Sequence, residues 1–185
     1  MRPVARSEIL DYATYGDGRD AERARIMEVK AERRIHVAGV LTFLFENHAT
    51  VRYQVQEMIL AERMVKEADI AHELATYNEL LGRDGGLGCT LLIEIEDPAT
   101  RDRKLREWVD LCPHLYARFP GGERIYAEFD PAQVDADRLS SVQFLHFAVC
   151  GQIPAAIGCD HRAFKAETEL SPAQRAALAE DLGDA

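Results

Sequence analysis

The sequence predicts an α+β fold: one domain in which a largely antiparallel or mixed sheet of about six strands packs with several helices. Three observations carry that prediction. Helical and extended patterns alternate along the chain, hairpin signals recur between the extended ones, and 185 residues with 47% apolar content suffice for one self-supporting core. Residues 1–19 read as a flexible N-terminal segment and residues 20–185 as the domain.

Taken in order, Ser7 to Tyr12 has room for a short helix before the flexible "YGDGRD", and Asp20 to Arg34 reads as a charged helix. "IHVAGVLTFLFE" suggests two strands about a tight turn at Gly39-Val40. Its second limb alternates, with Leu41, Phe43 and Phe45 on one face and Thr42, Leu44 and Glu46 on the other. Asn47 or Thr50 is placed to cap the next helix, which the apolar spacing carries to about Glu67; a further helix covers Ile70 to Leu81. "GRDGGLG" is a loop, and no Gly-Lys-Ser/Thr follows to make it a phosphate-binding one. "CTLLIEIE" is a strand. Asp97-Pro98 then opens a helix with Leu105, Trp108, Val109 and Cys112 on one stripe. "LYARFPGGERIYAEF" is a hairpin about Pro120-Gly121-Gly122, and Asp130-Pro131 opens a short helix. "VQFLHFAV", apolar on both faces, reads as a central strand. The last helix begins at Ser171-Pro172, with Gln174 completing a capping box and Gly183 as its stop.

A net charge of -10 argues against nucleic acid, whose phosphates are met by clustered Lys and Arg. The basic residues here are interleaved with acids, as in "RDAERAR". No apolar run approaches the roughly 20 residues of a membrane span, and the N-terminus lacks an apolar signal core. A cytoplasmic location is therefore expected. Cys89, Cys112, Cys150 and Cys159 form no CxxC pair and read as buried, reduced thiols.

Three polar sites draw attention. Wound as a helix, "VRYQVQEMILAERM" places Glu62 among Val51, Val55, Met58, Ile59 and Val65, with Gln54 at the edge of that stripe. A buried carboxylate needs a partner. Either Arg52, Arg63 or Arg34 closes an internal ion pair, or Glu62 meets Glu73 of the next helix around a cation such as iron, manganese or zinc, or the register differs and Glu62 is exposed. His146 in "VQFLHFAV" is expected to be buried, as a satisfied core imidazole or as a ligand or acid–base group. In "GCDH", Asp160 and His161 follow an apolar turn; an oriented imidazole is one reading, a turn with a surface histidine the other. Cys112, His114, Cys150, Cys159 and His161 lack the paired spacing of structural zinc modules.

The segments "RRIHVAGVLTFLFENHATVRYQVQEMILAER", "ELATYN", "TLLIEIED", "SSVQFLHF", "GCDH" and "LSPAQRAALAEDL" resemble a bacterial family catalogued as domain of unknown function 3501. The resemblance runs from about Arg23 to Leu182, and its matching positions are Glu46, Arg52, Gln54, Glu57, Glu62, Glu73, Asn78, His146, Asp160 and His161. Cys159 and Arg162 depart from the pattern, standing where a small aliphatic residue and a proline are expected. The family brings no biochemical activity with it. Its genes tend to neighbour those of rubrerythrin-like and iron-sulfur redox proteins, so the resemblance implies such a protein as a partner.

The leading expectation is an accessory protein that binds a small ligand or divalent metal. Arg52, Gln54, Glu57, Glu62, Glu73 and His146 are the ligand candidates; Glu62, Glu73, His146, Asp160 and His161 are the metal candidates. An enzyme with a buried Glu/His acid–base or metal site is the second reading, and a structural subunit with only a buried ion pair the third. Neither nucleic acid nor membrane is an expected partner, and a homo-oligomer is left open.

Overall fold

The computed structural model describes residues 1–131 and 137–183. In chain order these form α1 (Tyr12–Ala31), β1 (Arg34–Val37), β2 (Leu41–Phe45), α2 (His48–Glu62), α3 (Glu67–Asn78), β3 (Leu87–Ile93) and α4 (Pro98–Glu107). There follow β4 (Leu115–Arg118), β5 (Arg124–Tyr126), β6 (Glu128–Phe129), β7 (Val142–Phe147), β8 (Ala156–His161), β9 (Phe164–Glu169) and α5 (Pro172–Gly183). Single 3-10 turns lie at Arg6–Glu8 and Cys112–His114. The fold is α+β, with two antiparallel sheets in the orders β1-β2-β3-β7-β6 and β5-β4-β8-β9.

Local chemistry explains most of the boundaries. Asp11 caps α1 through the N–H groups of Ala13 and Thr14; Asn47 and Thr50 cap α2 reciprocally. Asp97 accepts from the Thr100 N–H ahead of a first-turn proline, and Ser171 and Gln174 close a box at the start of α5. Ala38 and Gly39 both take positive φ, 51° and 71°, which turns β1 tightly into β2.

The two sheets are joined at both ends. β5 pairs with β4 and β6 with β7, while Ala127 between them donates its N–H to the Leu115 carbonyl at 2.8 Å. One extended run therefore crosses from sheet to sheet. At the opposite edges, the Thr168 hydroxyl of β9 bonds the His36 carbonyl of β1 at 2.8 Å. Between the sheets lies one core, built from alternate residues as strand geometry requires: Phe43 and Phe45, Cys89 and Leu91, Leu145 and Phe147 from one sheet, Leu115, Ala117, Ile157 and Cys159 from the other. A second cluster, with Val51, Val55, Ile59, Ile70 and Leu74, joins α2 to α3.

Several expectations need revision. The charged helix starts at Tyr12, not Asp20, and Ser7 to Tyr12 holds one 3-10 turn at its start. The expected break after residue 19 thus falls within α1. Val4 and Ile9 are buried in the second cluster. Asn78 bonds both the N–H and the carbonyl of Val4, at 2.8 and 3.0 Å; Gln56 does the same for Leu10, at 2.6 and 3.1 Å. The strands outnumber the expected six because "AIGCDH" and "FKAETE" pair as β8 and β9, and because "ERIYAEF", expected as one limb of a hairpin, divides into β5 and β6. The short helix expected after Asp130-Pro131 lies outside the described residues. Among the described residues no helix is long and apolar enough to cross a membrane.

Candidate functional site

The outer face of the four-stranded sheet carries a polar array that its register assembles. Tyr126, Tyr116, Gly158 and Glu167 face one another across β5, β4, β8 and β9; in the next row, Asp160 pairs with Lys165. Gly158 is required by this arrangement, since a Cβ there would lie 2.6 Å from the Tyr116 ring. The Tyr116 ring occupies that space and sends its hydroxyl to Glu167 at 2.9 Å. Pro113, in the middle of the Cys112–His114 turn, precedes His114 at the rim.

Together His114, Tyr116, Arg124, Tyr126, Asp160 and Lys165 line a cleft of about 890 Å³. Asp160 is its hub. It accepts from the Tyr126 hydroxyl at 2.8 Å, meets Nδ1 of His114 at 3.3 Å, and pairs with Arg124 at 3.3 Å. The Arg124 guanidinium lies 4.0 Å from the centre of the Tyr116 ring, a stacked cation–π contact. Arg118 holds Glu167 and Glu169 at the far side. Lys165 stands opposite Asp160 yet makes no salt bridge among the described residues.

The electrostatics follow from these contacts. Burial is the largest single influence on Asp160 and opposes its charge. Tyr126 and His114 together outweigh it and hold the carboxyl below its ordinary value. Arg118 lowers Glu167. Burial, reinforced by Glu167, pushes Tyr116 up to about 12, so its hydroxyl is a donor at neutral pH. Burial likewise raises Cys159 to about 11 and Cys112 to about 12, which leaves neither as an available thiolate.

Asp160 and His161 sit on opposite faces of β8, because neighbours on a strand point apart. His161 is fully buried, which corrects the surface-histidine expectation. Its Nδ1 accepts from the Ala163 N–H at 3.3 Å, so Nε2 donates to Asp110 at 3.0 Å. Its ring meets that of His114 edge-on, with centroids 5.2 Å apart.

The other expected residues lie elsewhere. Glu62 is exposed, not inward: α2 ends there with Arg63 in the left-handed conformation, and Val65 of the supposed stripe is 73% exposed. Arg52 pairs with Glu22 rather than Glu62. Glu57 takes Tyr15 at 2.7 Å and Arg19 at 2.7 and 2.8 Å, tying α1 to α2. Gln54 is half-buried on α2 and Glu73 half-buried on α3. His146 is half-buried on β7, with Glu128 at 3.2 Å and the Arg83 carbonyl at 3.3 Å. Glu62, Glu73, His146, Asp160 and His161 are thus not assembled around a point. Among the described residues no group of three or more His, Cys, Asp or Glu is placed to hold a metal, so the residues do not fit that centre. Of the cysteines, Cys150 is exposed and the other three are buried.

Of the cleft, only Asp160 was marked by its sequence context as a candidate in its own right, with His114 considered solely among the zinc donors. Two signals point to the rest. "FKAETE" alternates with period two, setting Lys165, Glu167 and Glu169 on one face, and the turn at Pro120-Gly121-Gly122 fixes the register that puts Tyr116 opposite Tyr126.

Fold and site together define a small α+β protein whose two sheets close on one core and whose smaller sheet presents a ligand-sized polar cleft. This chain belongs to the family described as Protein of unknown function (DUF3501), whose model matches residues 3–182. It is similar to a crystal structure of a novel protein of unknown function from Burkholderia pseudomallei K96243. The two share 28% sequence identity over 97% of this chain and 99% of that one, with a TM-score of 0.88. Among curated proteins none matches.

Proposed function

We propose that the protein binds a small organic anion on the outer face of the four-stranded sheet. The observation that carries this reading is the convergence of His114, Arg124 and Tyr126 on Asp160 in a cleft where the ammonium of Lys165 is left without an ion pair. Concave sites with a few convergent polar groups and aromatic walls are where small ligands bind. Lys165 would meet the anionic group, the Tyr116 and Tyr126 rings would flank the body of the ligand, and Asp160 would hold His114 and Arg124 in place. The test is equilibrium titration of small carboxylates and phosphate esters against wild type and Lys165→Met. Saturable binding that weakens about tenfold, or 1.4 kcal/mol, in the variant supports the reading. Equal binding to both proteins, or none to either, sinks it.

One observation favours acid–base catalysis at the same place. With Nδ1 protonated and directed at Asp160, the free Nε2 of His114 is a base able to face the cleft. That arrangement suits proton transfer on a bound anion, with the neutral Tyr116 or Tyr126 hydroxyl as donor. A ligand turned over by wild type and bound but not turned over by His114→Gln would establish it.

A further inference from the structure

A different part of the molecule carries a group that the cleft does not use. Lys30, near the end of α1, is 9% exposed, and its amine makes no hydrogen bond or salt bridge among the described residues. What it faces is the ring of Tyr53 on α2, with the nitrogen 5.1 Å from the ring centre. Four residues on, Arg34 of β1 has a buried Nε with no hydrogen-bond partner. Arg23, about two turns before Lys30 on α1, donates to the Tyr53 hydroxyl at 3.3 Å. Three cations thus gather where α1, α2 and the start of β1 come together.

The two nearby acids offset this charge in part, but neither forms an ion pair with Lys30 or Arg34 among the described residues. Glu46 is buried, but its two oxygens are taken by the hydroxyls of Thr50 and Thr90. Glu46 and Glu57 each reach Lys30 only as a through-space attraction, against which Arg34 and Arg23 repel. Burial weighs most heavily on the amine and lowers its pKa. Glu57 is already held by Arg19 and Tyr15. Unpaired ammonium and guanidinium groups are costly in such surroundings unless an anion joins them.

We propose that Lys30 and Arg34, walled by Tyr53, form a half-buried site for a small oxyanion between α1, α2 and β1. The ligand class is a phosphate or carboxylate group, which would accept from the Lys30 amine and the Arg34 Nε–H. Such groups are the natural acceptors for a planar guanidinium beside an ammonium.

Thermal unfolding tests this directly. Phosphate and acetate are titrated against wild type, Arg34→Gln and Lys30→Met, with chloride at equal ionic strength as the reference. Saturable stabilisation of wild type by phosphate or acetate beyond chloride, with half-saturation moved at least about tenfold in Arg34→Gln, is the expected result. Lys30→Met should remove this component, leaving only what the cleft contributes, which Lys165→Met reports separately. Should Lys30→Met not fold, the Arg34→Gln comparison decides alone, since Arg34 is only half-buried on an edge strand. No stabilisation beyond chloride overturns the proposal, and so does stabilisation of equal size and midpoint in the variants.

Discussion

Asp160 shows how one carboxylate can organise a surface. Its three partners come from β5 and from the turn before β4, so it fixes groups that no single element could align. Asp160→Asn should weaken ligand binding about tenfold through loss of charge on this hub. It should also change the acid limb of stability. The folded-state pKa of Asp160 lies below the ordinary 3.8, so its contribution is present above that value and is lost as pH falls through the lowered one. Wild type and Asp160→Asn should therefore differ in stability at neutral pH, begin to converge as pH falls below 3.8 and meet only below the lowered folded-state value, as read by denaturant melts across pH. The internal ion pair that Glu62 was expected to make belongs instead to Arg33 and Asp181, at 2.7 Å and with both side chains buried. Asn47 adds a hydrogen bond to Asp181 at 3.1 Å. Asp181→Ala strands the Arg33 guanidinium and should cost about 3–5 kcal/mol in chemical unfolding. Neither partner was legible beforehand. Arg33 and Asp181 are 148 positions apart in the chain, and although Asp181 shares the apolar stripe of Ala177 and Leu178, that spacing does not name the cation it meets.

At the scale of elements, what was legible is what local chemistry decides. The caps at Asn47, Asp97 and Ser171 set helix starts correctly, and the Pro120-Gly121-Gly122 hairpin formed where its turn residues put it. The end of α2 was not, because apolar spacing continues through Val65 while the core beneath stops at Ile59. The β8–β9 pair was also missed: "AIGCDH" is buried on both faces and contains a glycine, which mimics a turn. That glycine is a packing requirement. Gly158→Ala would drive a methyl into the Tyr116 ring and toward the Ala166 carbonyl, 2.9 Å from the added carbon. A loss of about 1–3 kcal/mol is expected, with ligand binding weakened more than stability because the Tyr116 ring must leave the cleft wall. Gly88 is tighter still, since a Cβ there would lie 1.8 Å from the Leu80 carbonyl. That backbone contact, rather than phosphate binding, accounts for a glycine at the head of β3.

Across the whole molecule, the fold class was readable from alternation and hairpins, whereas the division into two joined sheets was not. Joining depends on Ala127 meeting Leu115 and on Thr168 meeting His36, contacts between distant segments that no local pattern encodes. The two apolar clusters should also behave differently. The sheet core surrounds β3, while the α2–α3 cluster is completed by Val4 and Ile9, held through Asn78 and Gln56. Amide exchange should be slowest in β2, β3 and β7 and faster in α3. Gln56→Ala should accelerate exchange at Leu10 with little change in β3; uniform acceleration would show that the strap and the sheet core open as one unit. The account's central claim, that the outer face of the four-stranded sheet binds a small organic anion, is tested most directly by amide chemical-shift mapping. Small carboxylates and phosphate esters would be titrated into the wild-type protein. Saturable shifts concentrated at His114, Tyr116, Tyr126, Asp160 and Lys165 are the predicted result, and saturable shifts confined to other surfaces, or no shifts at all, would contradict it.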